Sequence, residues 1–247
     1  MADRSDARWT KAERKEQARR ERQELERRMA RARRTRRIAL GLVGVVVAAV
    51  GAFVLTRPGA VSATPGELFR AAADAKRAAG CGPVEDVGPF QPEEQDGAHV
   101  SAEEMPPLSS FPSTPPASGP HNEAPLGAGV YGSPPPIDRV IHSLEHGAAI
   151  VWYSPDASGQ ELDALRDYYR GSDVGSRVIV APYDYPDEGA AGRLPAGTQM
   201  ALVSWHHVQR CAQVSLAAAF DFTAGYAAPP FGQRPYLGNA PEPGAAF

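Results

Sequence analysis

Thirteen of the chain's 24 prolines fall between Cys81 and Pro136. Proline lacks an amide donor and fixes φ, so this stretch admits neither a long helix nor a central strand. Val84, Val87, Phe90, Val100, Phe111, Val130 and Tyr131 are spread through it as apolar anchors. That pattern predicts an ordered loop wrapping a domain from about His99 onward, with short docked strands and a flexible stretch around Gln91–Gly97.

The regular partner for such a loop lies downstream. Ala148–Tyr153 (AAIVWY), Arg177–Ala181 (RVIVA) and Met200–Trp205 read as apolar strands, with Val208–Ala212 as a continuation or hairpin partner of the last. Gly159–Arg170 has helical spacing through Leu162, Leu165, Tyr168 and Tyr169, and Ser215–Tyr226 reads as a final helix. Strand, helix, strand, strand, helix predicts an α/β (mixed α+β) domain: one small mixed sheet with packed helices, followed by an extended Pro/Gly-rich tail after Ala227.

Upstream, the charge is sharply divided. Residues 1–37 carry a net +8 and the remainder a net −11. The basic arm is followed by Ile38–Leu55, eighteen residues without a charge. At helical rise they cover roughly 27 Å, close to a bilayer's hydrocarbon thickness. The arginines abutting the run (Arg31, Arg33, Arg34, Arg36, Arg37) predict a cytoplasmic N-terminus. The expected plan is therefore a cytoplasmic arm over 1–37, helical or disordered and resting on anionic lipid, and a transmembrane helix over 38–56. A helical stalk and flexible linker over 57–98 then lead to an extracytoplasmic domain over 99–247 at the plasma membrane. Val61-Ser62-Ala63 resembles a signal cleavage site, but the charged region and the apolar run are both longer than a signal peptide needs. An uncleaved anchor is the expectation. The arm lacks aromatics interleaved with its cations, which argues against nucleic acid as a partner. Thr64-Pro65-Gly66-Glu67 predicts a capped helix start, with a helix running to about Ala79.

Cys81 and Cys211 are the only cysteines. An even count outside the membrane predicts a disulfide, and the absence of Cys-x-x-Cys argues for a structural bond.

The chemistry concentrates in Pro115–Gly147, which holds three of the six histidines. Asp138 is the expected cap of a short helix over Arg139–His146, stopped by Gly147. On that helix Val140, Ile141 and Leu144 share one face, and His142, Glu145 and His146 the opposite one. Histidines at i and i+4 present two imidazoles to one metal. His121, on a stiff Ser-Gly-Pro turn, is the expected third ligand; Glu145 and His99 are further candidates. Of His206-His207, at most one could face the same site. Met105 and Met200 are thioether candidates for Cu(I), though lone methionines commonly fill cores. The pattern His142-x-x-Glu145-His146 also matches a peptidase signature in which the glutamate activates water on zinc. Neither a phosphate-binding glycine loop nor a nucleophile elbow is present in the sequence.

Pro115-Pro116-x-Ser118-Gly119-Pro120-His121, Gly129-Val130-Tyr131 and His142-Ser143-Leu144-Glu145-His146-Gly147 together resemble a bacterial family catalogued as domain of unknown function 3105. The resemblance runs from about His99-Val100 through Ala181-Pro182 and Trp205 to Pro241-Glu242. It implies a single-span membrane protein with an extracytoplasmic domain and assigns no activity. His206-His207 depart from the family pattern. Three functions follow as expectations. The first is a membrane-anchored binding protein holding Cu or Zn through His121, His142 and His146. The second is a metal-dependent hydrolase using Glu145, and the third an envelope interaction module, partnered by another envelope protein, in which the histidines are structural.

Overall fold

The computed structural model describes residues 63–247. The basic arm, the apolar run Ile38–Leu55 and the Val61-Ser62-Ala63 cleavage question lie outside the described residues. Among the described residues, no helix is long and apolar enough to cross a membrane.

A six-stranded sheet organises the domain. Its strands are β1 (Glu85–Asp86), β2 (Gly129–Val130), β3 (Ala149–Tyr153), β4 (Val178–Pro182), β5 (Met200–Ser204) and β6 (His207–Cys211). Their spatial order is β1-β6-β5-β3-β4-β2. β3 runs parallel to β4 and antiparallel to β5, which forms a hairpin with β6; β2 lies parallel to β4 and β1 antiparallel to β6. The sheet is therefore mixed, as the sequence predicts. The two outermost strands are two-residue pieces of the proline-rich stretch.

Four α-helices lie among the described residues: α1 (Pro65–Ala78), α2 (Ile137–Glu145), α3 (Gln160–Gly171) and α4 (Leu216–Tyr226). Alternation along the strands divides the core into two layers. Val151, Tyr153, Val180, Met200 and Leu202 pack under α1, α3 and α4, through Leu68, Leu162, Leu165 and Phe220. Ile150, Trp152, Ile179, Ala201 and Val203 face the other way, under α2 and the proline-rich loop, through Val140, Ile141, Leu144, Phe90 and Phe111. Strands covered on both faces explain the continuous apolar runs of the sequence.

Helix α1 starts as its sequence predicts. Thr64 accepts the Glu67 amide at 3.3 Å, and the Glu67 carboxylate accepts the Thr64 amide at 2.8 Å. This helix belongs to the domain core, because Phe69 meets Phe220 with ring centroids 4.7 Å apart and Lys76 pairs with Asp221. The two cysteines form a disulfide, tying the end of α1 to the end of β6.

Within Gln91–Gly97, residues Glu93–Gln95 form a 3-10 turn. Asp96 beyond it accepts the Phe90 amide at 2.9 Å and contacts His206 Nε2 at 2.7 Å. His206 occupies the tip of the β5–β6 hairpin at φ 61°, so the pair fastens hairpin to loop. Burial pushes the Asp96 carboxyl up, but hydrogen bonds from His206 and the Phe90 amide outweigh it and hold it below its ordinary value. A carboxylate lowered on folding stabilises above its unfolded pKa, and the contribution is lost as pH falls through the folded value. Asp96→Asn is therefore expected to cost about 1–3 kcal/mol at neutral pH. The deficit against the native chain should shrink in acid; equal melting temperatures at neutral pH would overturn this assignment.

Candidate metal centre

Helix α2 presents the centre, and the sequence around it explains its placement. Its apolar residues Val140, Ile141 and Leu144 are buried against the sheet. Its start differs from expectation: the helix begins at Ile137, with Pro136 preceding it and no side-chain cap. Asp138 therefore sits within the first turn. The Pro136 carbonyl takes the Val140 amide at 3.2 Å, so the last proline of the Pro134–Pro136 run already supplies the first helical acceptor. The stop is as predicted. Gly147 at φ +87° donates to the Leu144 carbonyl and Ala148 to the Ser143 carbonyl, the two reverse bonds of a Schellman ending.

The loop before α2 is zipped along it. Arg139 donates to the Ala124 and Pro125 carbonyls, and Ser143 exchanges hydrogen bonds with the Leu126 backbone at 2.9 and 2.7 Å. His142 Nδ1 lies 2.6 Å from the Asn122 carbonyl. One residue earlier, His121 pairs with His99 across an isolated parallel bridge, its amide donating to Ala98 O at 2.9 Å. Its Nδ1 lies 2.8 Å from the Gly119 carbonyl. The tail supplies a third wall: the Ala246 carbonyl is 2.8 Å from His146 Nδ1. A backbone carbonyl only accepts, so each of these three rings carries a proton on Nδ1 and turns its Nε2 inward.

Ligand atoms of His99, His121, His142 and Glu145 lie within 4.8 Å of one another. Glu145 Oε2 is 3.1 Å from His121 Nε2 and 3.8 Å from His99 Nε2. The His99 ring stacks on His142 at 4.9 Å and His121 meets Trp205 edge-on at 6.2 Å. His121 and His142 are buried, while the His99 side chain is half exposed and forms the mouth. Burial first, then the charges of His121 and His146, push His142 below its ordinary pKa against the pull of its Asn122 bond. Burial raises the Glu145 carboxyl, but the His121 hydrogen bond and the neighbouring imidazoles together hold it below its ordinary value. A neutral imidazole and an ionised carboxylate are the forms that bind metals.

The expected ligands are thus distributed as follows. His121 and His142 enter the four-residue group, and His99 and Glu145, the additional candidates, complete it. His146 lies outside that group, with its Nε2 2.9 Å from His142 Nε2 and 3.4 Å from Glu242 Oε2. His207 turns instead to the Trp205 carbonyl and the Tyr226 ring. Met200 is buried in the opposite core layer, and Met105 is half-buried against the layer that α2 and the loop form. Sequence reasoning missed the Asn122 and Ala246 carbonyls, Glu242, and Arg177, which holds the tail through the Gly244 and Ala245 carbonyls. Asn122 and Glu242 adjoin or lie within recognised motifs, but the backbone contacts leave no trace in side-chain identity.

No curated protein and no solved structure gives a significant match to the chain. A family model described as "Protein of unknown function (DUF3105)" matches residues 108–245, a segment that contains His121, all of α2 and Glu242. The chain therefore belongs to the DUF3105 family of proteins of unknown function.

Proposed function

We propose that this chain is a single-pass, membrane-anchored protein of the bacterial plasma membrane whose extracytoplasmic domain binds a transition metal, Cu or Zn, at the centre formed by His99, His121, His142 and Glu145. The observation that carries this reading is the convergence of four ligand atoms within 4.8 Å. Three imidazoles and a carboxylate suit Zn or Cu rather than the oxygen-seeking Mg or Ca. The Nδ1 anchors of His121 and His142 are the outer contacts that orient ligating histidines. Anchoring in the membrane rests on Ile38–Leu55 and its flanking arginines, with anionic lipid as the partner of the basic arm.

Glu145 stands 3.1 Å from His121 Nε2, among the ligand atoms. That position suits a ligand better than a free base activating water, so the binding role is preferred to the hydrolase role of His-x-x-Glu-His. Elemental analysis of the full chain, purified under oxidising conditions from detergent-extracted membranes and reconstituted with Cu(II) or Zn(II), tests the reading. At least one equivalent of metal per chain is expected, and His121→Ala/Glu145→Gln should hold one equivalent fewer. A native chain without metal would overturn the proposal and leave the histidines as fasteners of an envelope interaction module. Release of the chain from washed membranes without detergent would overturn the anchor.

A further inference from the structure

His142 and His146 carry a conflict that the four-residue group does not resolve. Both rings give their Nδ1 protons to backbone carbonyls, those of Asn122 and Ala246. Their Nε2 atoms nevertheless face each other at 2.9 Å. Two neutral rings in these tautomers oppose lone pair to lone pair at that distance, so the contact needs either a proton or a metal cation between them. A third donor adjoins the pair: Glu242 Oε2 lies 3.4 Å from His146 Nε2, on the tail that Arg177 fixes in place.

Resting on the metal-binding reading above, we infer that the centre is binuclear, with a second transition-metal ion held by His142, His146 and Glu242 beside one held by His99, His121 and Glu145. The donor count favours it. One tetrahedral ion takes four ligands, whereas four side chains converge here and His146 and Glu242 adjoin them. Each Nε2 freed of its proton has a single lone pair, so His142 serves one ion only. Once it pairs with His146, three donors remain for the first ion. The spacing agrees. Ligand atoms around one tetrahedral ion with metal–nitrogen bonds of about 2.05 Å lie roughly 3.3 Å apart. The first group's ligand atoms lie within 4.8 Å of one another, which admits a pair about 3.5–4 Å apart as well as a single ion. The His146 side chain is 12% exposed and that of Glu242 61%, so the second ion lies within reach of solvent, as the first does at His99.

Titration of the full chain with Cu(II), read by elemental analysis and by electron paramagnetic resonance, tests this directly. Two equivalents are expected per chain, the second converting an isolated cupric spectrum into a coupled one. His146→Ala/Glu242→Gln should hold one equivalent with an isolated spectrum, and His99→Ala/His121→Ala should likewise hold one. Glu242→Gln alone changes an exposed side chain and leaves the fold in place. It should weaken the second equivalent about tenfold, roughly 1.4 kcal/mol, at an unchanged apo melting temperature. Saturation of the native chain at one equivalent would overturn the second ion and leave the proposed function standing. A native chain that takes up no metal would overturn both.

Discussion

Gly119→Ala should lower stability by about 2–4 kcal/mol and weaken metal binding at least tenfold. Gly119 sits at φ +117°, and an added Cβ would lie 2.7 Å from Phe111 Cε1 and 3.1 Å from Phe90 Cδ2. Those rings meet at 5.1 Å and form the apolar floor of the wrapping loop, so neither can retreat cheaply. The same residue's carbonyl accepts the His121 Nδ1 proton at 2.8 Å and takes a longer bond from the Gly97 amide at 3.4 Å. A backbone shift that relieves the methyl therefore turns the imidazole away from Glu145. Denaturant unfolding and metal titration of one preparation check both effects. Loss of stability with metal affinity intact would detach the turn from the centre.

Removing the disulfide is the second large change. Cys81→Ala/Cys211→Ala is expected to cost roughly 2–5 kcal/mol, because the bond closes a long loop in the unfolded chain. The bond joins residues 130 positions apart. It reinforces contacts already made there: Gly82 donates to the Arg210 carbonyl at 2.9 Å and Gln213 to the Ala79 carbonyl at 3.0 Å. These lie at the outer end of the sheet, away from α2, so the variant should still bind metal below its lowered melting temperature. A melting temperature equal to that of the native chain would show that the backbone contacts suffice alone.

What the sequence made legible was whatever repeats locally. Ala149–Tyr153 and Met200–Ser204 emerge within a residue of their apolar runs because strands buried on both faces need no alternation to be recognised. The stop at Gly147 is equally plain, since a left-handed residue after an amphipathic helix points to glycine. The start of α2 was not. Asp138 is a good cap by composition, but a rigid proline run sets the entry two residues earlier, at a residue with no capping side chain. At the centre, His142 and Glu145 can be grouped from helical spacing alone. His99 cannot, because its partnership with His121 is a bridge between two loop segments. The Asp96–His206 pair spans 110 positions and Glu242 reaches back to His146 from the tail. Contacts of that kind follow from topology, and no periodicity announces them.

The centre is drawn from three distant parts of the chain: the proline-rich loop, helix α2 and the tail. An unfolded chain offers no preformed site, so ligand and fold are thermodynamically linked. An ion that binds only the native state at a hundredfold excess over its dissociation constant adds about 2.7 kcal/mol to folding. Occupancy would then report on assembly: a chain whose loop and helix had not come together could not retain the ion. Where metal is scarce, the same linkage would make the abundance of the folded protein follow the supply.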